Sequence, residues 1–268
     1  MNYATRLDPL SLLGKAAVGL RMGTLPREVV QHAKQHLLDT VGCLIAGYQI
    51  GISEAIRSYV VSQGGSPEAT LLPGGQKTTA SMVCLAHATY MFGLELSDYA
   101  PRGTVHPGNK VVPAALALAE RGCCSGADML AAIVAGYEIE IRMGRAVFQS
   151  AFYRGWWTPG MFGGIGPAVT AGHLLGLDAA GLKNTIGIVL NLLPTAMARV
   201  NDEGASIKWL MGGRPVQRVY SPRKWQRVAP RACAILWAAG CRSSPMNITP
   251  IGSLKVFRRM GHLRNGRC

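Results

Sequence analysis

Apolar residues recur at helical spacing along most of the first 210 positions. In Leu25–Gly47, Val29, Val30, Ala33, Leu37, Leu38, Val41 and Leu44 mark one helix. Pro26 suits its first turn, Thr24 its cap and Gly47 its end. A second helix is predicted over Ser53–Gly64, closed by Gly64-Gly65-Ser66-Pro67. Ala69–Leu72 suits a short extended piece, and Ser81–Leu94 is helical again. The polar stretch 97–110, SDYAPRGTVHPGNK, reads as a loop. Helices follow over Val112–Glu120, Gly126–Arg145, Gly163–Leu175 and Asp178–Leu193. Their small residues suit close helix–helix packing, since each Gly otherwise costs about 1 kcal/mol against Ala. Strands do not alternate with helices, and no glycine-rich phosphate loop follows a strand. The fold class is mainly α, with Leu38, Val41, Leu44, Leu85, Leu116, Ile133, Leu174 and Ile188 expected in the core.

The pattern stops near Arg214. Residues 204–268 hold 13 Lys and Arg and no acid, so nearly all of the net charge of +14 lies there. The pI of 9.9 is thus a property of this tail. Two regions are expected: a helical domain over 1–213 and a basic, unpatterned tail over 214–268.

At 49% hydrophobic and 16% charged, the chain is too apolar for disorder. It has no uncharged apolar run long enough to span a bilayer, and residues 1–15 lack a signal-peptide pattern. A cytoplasmic location is the expectation. The seven cysteines lack CxxC spacing, so reduced thiols are expected rather than a disulfide framework or a zinc site.

Three polar clusters interrupt the helices. Glu95, Asp98, Tyr99 and His106, with Thr104 among them, bring acid, base and hydrogen-bonding groups into one short segment. The alternative is that the acids cap helices and His106 sits in a solvated turn. Arg154-Gly-Trp-Trp-Thr158-Pro-Gly precedes a helix whose first amides suit an anion, or else packs as an aromatic loop. Lys208, in Asp202–Leu210, can bind a carboxylate or carry a proton, or else reach to the surface as most such lysines do.

Five stretches carry a resemblance: LLDTVGCLIAG (37–47), AHATYMFGLELSDYAPRGTVHPGNKVVPAALALAE (86–120), GYEIEIRMG (136–144), RGWWTPGMFGGIGPAVTAGHLLGLD (154–178) and DEGASIKWLMGGR (202–214). In order and spacing they resemble the MmgE/PrpD family over roughly residues 5–214. That family includes 2-methylcitrate dehydratase, cis-aconitate decarboxylase and iminodisuccinate epimerase. The resemblance implies a helical-bundle large domain and a smaller α+β lid. It implies a homodimer, no metal and no organic cofactor, and proton transfer beside a carboxylate of a small di- or tricarboxylic acid. By position it makes Glu95, Asp98, Tyr99, His106 and Lys208 catalytic candidates that converge on one cleft. Thr104, Arg154 and Thr158 are substrate-binding candidates. Two departures stand out: Ser97-Asp98 where the family often has two adjacent acids, and Trp157 where it often has a histidine.

Members of that family are much longer than 268 residues, and the likeness fades at Arg214. Permitted codons for the tail can be chosen so that one alternative frame reads as an apolar, helix-patterned sequence. The expectation is a truncated chain with an out-of-frame tail, no lid domain and weak activity. Two other classes compete. The tail's charge suits nonspecific nucleic-acid binding, with Trp209, Trp225 and Trp237 as stacking groups, although no nucleic-acid motif accompanies it. A catalytically dead helical dimerisation partner is the third.

Overall fold

The computed structural model describes residues 8–192 and 207–219. Helix α1 spans Pro9–Gly19, and Asp8 caps it by accepting from the N–H groups of Leu10 and Ser11. Helix α2 covers Arg27–Gly47 and α3 covers Gly51–Ser62. A two-stranded antiparallel hairpin follows, β1 (Ala69–Leu71) against β2 (Gln76–Thr78). Then come α4 (Ala80–Gly93), α5 (Gly108–Gly122), α6 (Gly126–Phe152), α7 (Thr158–Phe162), α8 (Ile165–Leu174) and α9 (Ala179–Asn191). Helix α10 spans Ile207–Val219. The mainly α expectation holds, and the hairpin is the one sheet among the described residues.

Helix α4 is the axis of the bundle. Helices α2, α3, α5 and α10 and the hairpin pack round it, so nearly every side chain from Val83 to Phe92 is buried. An apolar sequence with no polar face is what a helix enclosed on all sides requires. Helices α6 and α8 cross beside α5 and are buried almost as fully. Helix α9 lies on α1, where Lys183 Nζ meets Asp8 Oδ2 at 2.5 Å. No described helix is long and apolar enough to cross a membrane.

Of the expected core, Leu44, Leu85, Ile133 and Ile188 are buried, and Val41, Leu116 and Leu174 are partly so. Leu38 is not; it is 75% exposed. The buried stripe of α2 runs through Val29, Ala33, Thr40, Cys43, Leu44 and Gly47. Leu38 lies off that stripe, on the same outward face as Ile45, which is 52% exposed.

Helix α10 passes through the expected boundary at 213/214 without a break. Its Pro215 and Val216 are buried, Val216 beside Val83, Cys84 and Ala88. Gly213 allows the contact, because a Cβ there would stand 2.6 Å from the Leu85 carbonyl oxygen of α4. The rest of the tail, including Trp225 and Trp237, lies outside the described residues, as do Asp202 and Glu203.

Candidate active site

The segment between α4 and α5 is folded back on itself. Ala100 and Val105 form an isolated bridge, with Ala100 N–H donating to the Val105 carbonyl at 2.9 Å. Glu95 and Thr104 hold left-handed φ angles of 57° and 49°. Such angles cost a non-glycine residue about 1 kcal/mol or more, and they often mark functional segments. The turn puts alternate groups on two sides of the loop.

On the outer side, Phe92 is the hub. Its ring meets His106 edge-on at 5.9 Å and Trp157 edge-on at 6.0 Å, and Lys208 Nζ stands 5.8 Å from its centroid. Trp209 packs against the Phe92–Trp157 pair. Tyr99, which is exposed, lays its ring 5.1 Å from that of His106. Lys208 Nζ reaches Glu95 Oε2 at 2.8 Å. Glu95, Tyr99, His106 and Lys208 are thus gathered within a ring or two of one another.

His106 is fixed by its backbone surroundings. Its Nδ1 donates to the Asp98 carbonyl oxygen at 2.8 Å, which leaves Nε2 as the acceptor of a neutral imidazole. Burial lowers its pKa, the charge of Lys110 lowers it further, and the Asp98 carbonyl opposes them in part. The ring is therefore held in the basic, uncharged form near neutral pH.

The side chain of Asp98 points the other way, into the bundle. Oδ1 accepts from Gly108 N–H at 2.9 Å, and Oδ2 lies 3.4 Å from His36 Nδ1 of α2. Burial pushes this carboxyl up, but His36, the Tyr137 hydroxyl and the Gly108 N–H outweigh it and hold it below the usual carboxylate range. Asp98 therefore shares the loop with the other candidates while its carboxylate belongs to an interior network. A Cβ on Gly108 would come within 2.7 Å of Asp98 Oδ1 and of Tyr137 Oη, and 2.8 Å of Thr40 Oγ1. Only a hydrogen fits there.

Two charged residues that sequence reasoning missed lie beneath His106. Lys110 and Glu140 are fully buried, with Lys110 Nζ 3.8 Å from Glu140 Oε1. Lys110 also donates to the His106 carbonyl at 2.7 Å and to Asn109 Oδ1 at 3.1 Å. The available signal was Lys110 at the head of the apolar run VVPAALALA and Glu140 inside AAIVAGYEIEI. Burial raises Glu140 to about 7 against the opposing pull of Lys110, and burial lowers Lys110.

The three substrate-binding candidates part company. Thr158, at the start of α7, is buried and donates its hydroxyl to the Thr104 carbonyl at 3.1 Å. It braces the loop. Thr104 turns its own hydroxyl toward the Pro101 carbonyl at 3.4 Å. Arg154 is exposed in the turn after α6, and among the described residues no bond joins its side chain to the cluster.

The sequence as a whole matches the model of the MmgE/PrpD N-terminal domain over residues 12–218, well over half of the chain. The chain belongs to the MmgE/PrpD family. Among curated proteins, the cis-aconitate decarboxylase of Aspergillus terreus is 28% identical over 64% of this chain and 36% of its own length. A cis-aconitate decarboxylase-like protein of Aspergillus oryzae is 26% identical over 63% of this chain and 37% of its own. Human cis-aconitate decarboxylase is 26% identical over 67% and 38%. The chain thus spans less than two fifths of these relatives.

In this MmgE/PrpD chain the two noted departures have visible consequences. Ser97 Oγ stands 3.5 Å from His106 Nδ1 and 3.5 Å from Asn109 Nδ2, so a hydroxyl occupies a position beside the imidazole. Trp157 is buried against Phe92 and supplies apolar packing with no proton to exchange.

Proposed function

We propose that this chain carries acid–base residues of a lyase that moves a proton beside a carboxylate of a small di- or tricarboxylic acid, in a decarboxylation or a dehydration. The observation that carries the reading is the Nδ1 bond of His106 to the Asp98 carbonyl. It makes Nε2 a neutral base at the end of a loop that also presents Lys208, Glu95 and Tyr99. A base of this kind speeds proton transfer by about two to four powers of ten.

Lys208 binds a substrate carboxylate by exchanging it for Glu95, with which the ammonium is paired in the free site. His106 takes the proton from the adjacent carbon, or as imidazolium returns one. In a dehydration the C–H electron pair becomes the new double bond as hydroxide leaves with an acid's proton. In a decarboxylation the C–C bond to the departing carbon dioxide breaks, and a proton closes the carbon left behind. Tyr99, whose ring lies 5.1 Å from the imidazole, serves as the partner acid.

The relatives' names point to cis-aconitate, and the wider family resemblance to 2-methylcitrate. The test is turnover of both by the full chain and by His106→Gln. Turnover by the parent with a loss of about a hundredfold or more in the variant supports the reading. Equal rates, or no turnover of either acid, reject it.

A further inference from the structure

His106 is gripped twice. Its ring is bonded to the Asp98 carbonyl at 2.8 Å, and its own carbonyl accepts from Lys110 Nζ at 2.7 Å. The second grip comes from a lysine with no exposed surface, whose carboxylate partner Glu140 has none either. A buried ion pair is a weak device for stability, because desolvation takes back most of the attraction. A fully buried ammonium one helical turn below a base needs another explanation.

The surroundings supply one. Lys110 extends from the first turn of α5 past Asn109 toward α6, and its stem fills the space above Gly163, where a Cβ would collide with Lys110 Cδ and Cε. The chain thus keeps room between α7 and α8 for this side chain. We propose that Lys110 is a positioning residue for His106, anchoring its backbone and imposing a fixed positive charge beneath the imidazole, with Glu140 as the counter-ion that keeps the ammonium in place. The proposal rests on His106 being the base of the proposed lyase.

The electrostatic direction follows from the layout. Five charged or titratable groups lie around the ring. Lys110 lies beneath it in α5, Asp98 and Glu95 in the loop, Tyr99 against its face, and Lys208 across Phe92 in α10. The two carboxylates favour the imidazolium and Lys110 opposes it. Burial is the larger cause of the lowered value; Lys110 adds to it and offsets the acids around the ring, so that the base stays unprotonated near neutral pH.

The test is the titration of the His106 ring by NMR in the full chain, assigned by loss of its signal in His106→Gln. Lys110→Gln removes the charge and keeps an N–H for the His106 carbonyl. Its His106 midpoint is expected to move to higher pH. Lys110→Arg keeps the charge and is expected to leave the midpoint in place. The double variant K110M/E140Q removes both charges together, so no ion is stranded in the core, and is expected to show the same upward move. An unchanged midpoint in the neutral variants, or an equal move in Lys110→Arg, overturns the proposal. So does failure of both neutral variants to fold, since the pair is then a stability element. The titration uses no substrate. A shifted midpoint without turnover rejects the lyase reading alone, and turnover with an unshifted midpoint rejects the role of Lys110 alone.

Discussion

His87 Nε2 accepts the backbone N–H of Leu72 at 2.8 Å, which locks the hairpin's end onto the axial helix α4. The ring is buried, and that burial lowers its pKa to about 4. An unfolded histidine titrates near 6.5, so the unfolded chain binds the extra proton first. The stability this residue contributes is fully present above about pH 6.5. It is lost as pH falls through about 4. The loss amounts to about 3 kcal/mol by linkage. Denaturant unfolding of the parent should weaken over that window, and His87→Gln should show a flatter profile. Parallel profiles would exclude His87 as the source.

Asp98→Asn should destabilise the chain by about 2 kcal/mol, the scale of a hydrogen bond to a charged group. The amide keeps an acceptor for Gly108 N–H but gives up the carboxylate contact with His36. The folded carboxyl lies below its ordinary value, so its contribution is present above about pH 4 and disappears as pH falls through the folded value. Acid unfolding of the variant should therefore lose part of its steepness below pH about 4.

Gly108→Ala should cost about 1–3 kcal/mol through overpacking. The new methyl would meet Asp98, Tyr137 and Thr40 together, and none is a flexible chain end. Thermal unfolding measures the loss. The same methyl displaces the first turn of α5, so the His106 ring signal should shift as well. A neutral substitution would show that the three oxygens move freely.

Trp157→His tests the departure from the family pattern. The indole packs edge-on against Phe92, and its removal should lower stability by about 2 kcal/mol. If the proposed chemistry lacks a second proton carrier at this point, the histidine should raise turnover of cis-aconitate by about a hundredfold, the low end for an acid–base group. Reduced turnover with normal folding would show that the tryptophan itself shapes the site.

The most apolar stretches were legible, because burial on every side leaves one reading of α4 and of Leu130–Tyr137 in α6. Their ends were less so. The polar run SDYAPRGTVHPGNK reads as loop throughout, yet α5 begins inside it at Gly108. Asn109 and Lys110 are buried by partners that arrive from α6 and from the loop itself, and local composition carries no trace of those partners. Leu38 failed for the opposite reason: its type matches a core, but its angular position on α2 does not. Thr24 closes a short 3-10 turn at Met22–Thr24, and Pro26 takes the cap position that the sequence assigned to Thr24. At the site, Glu95, Tyr99, His106 and Lys208 are named by the family resemblance alone, and their side chains lie together. The inward turn of Asp98, the bracing role of Thr158 and the Lys110–Glu140 pair depend on which way side chains leave the backbone, which spacing alone does not encode.

The bond between Lys208 and Glu95 joins residues 113 positions apart. At roughly 5–20 residues per second, the ribosome makes the α4–α5 loop several seconds before it makes Lys208. During that interval one side of α4, later covered by α10, has no cover, and Glu95 has no cation. The nascent chain thus passes through a stage in which most of the described helices have been synthesised and the site lacks its lysine. The acid–base cluster is complete only once α10 has been made.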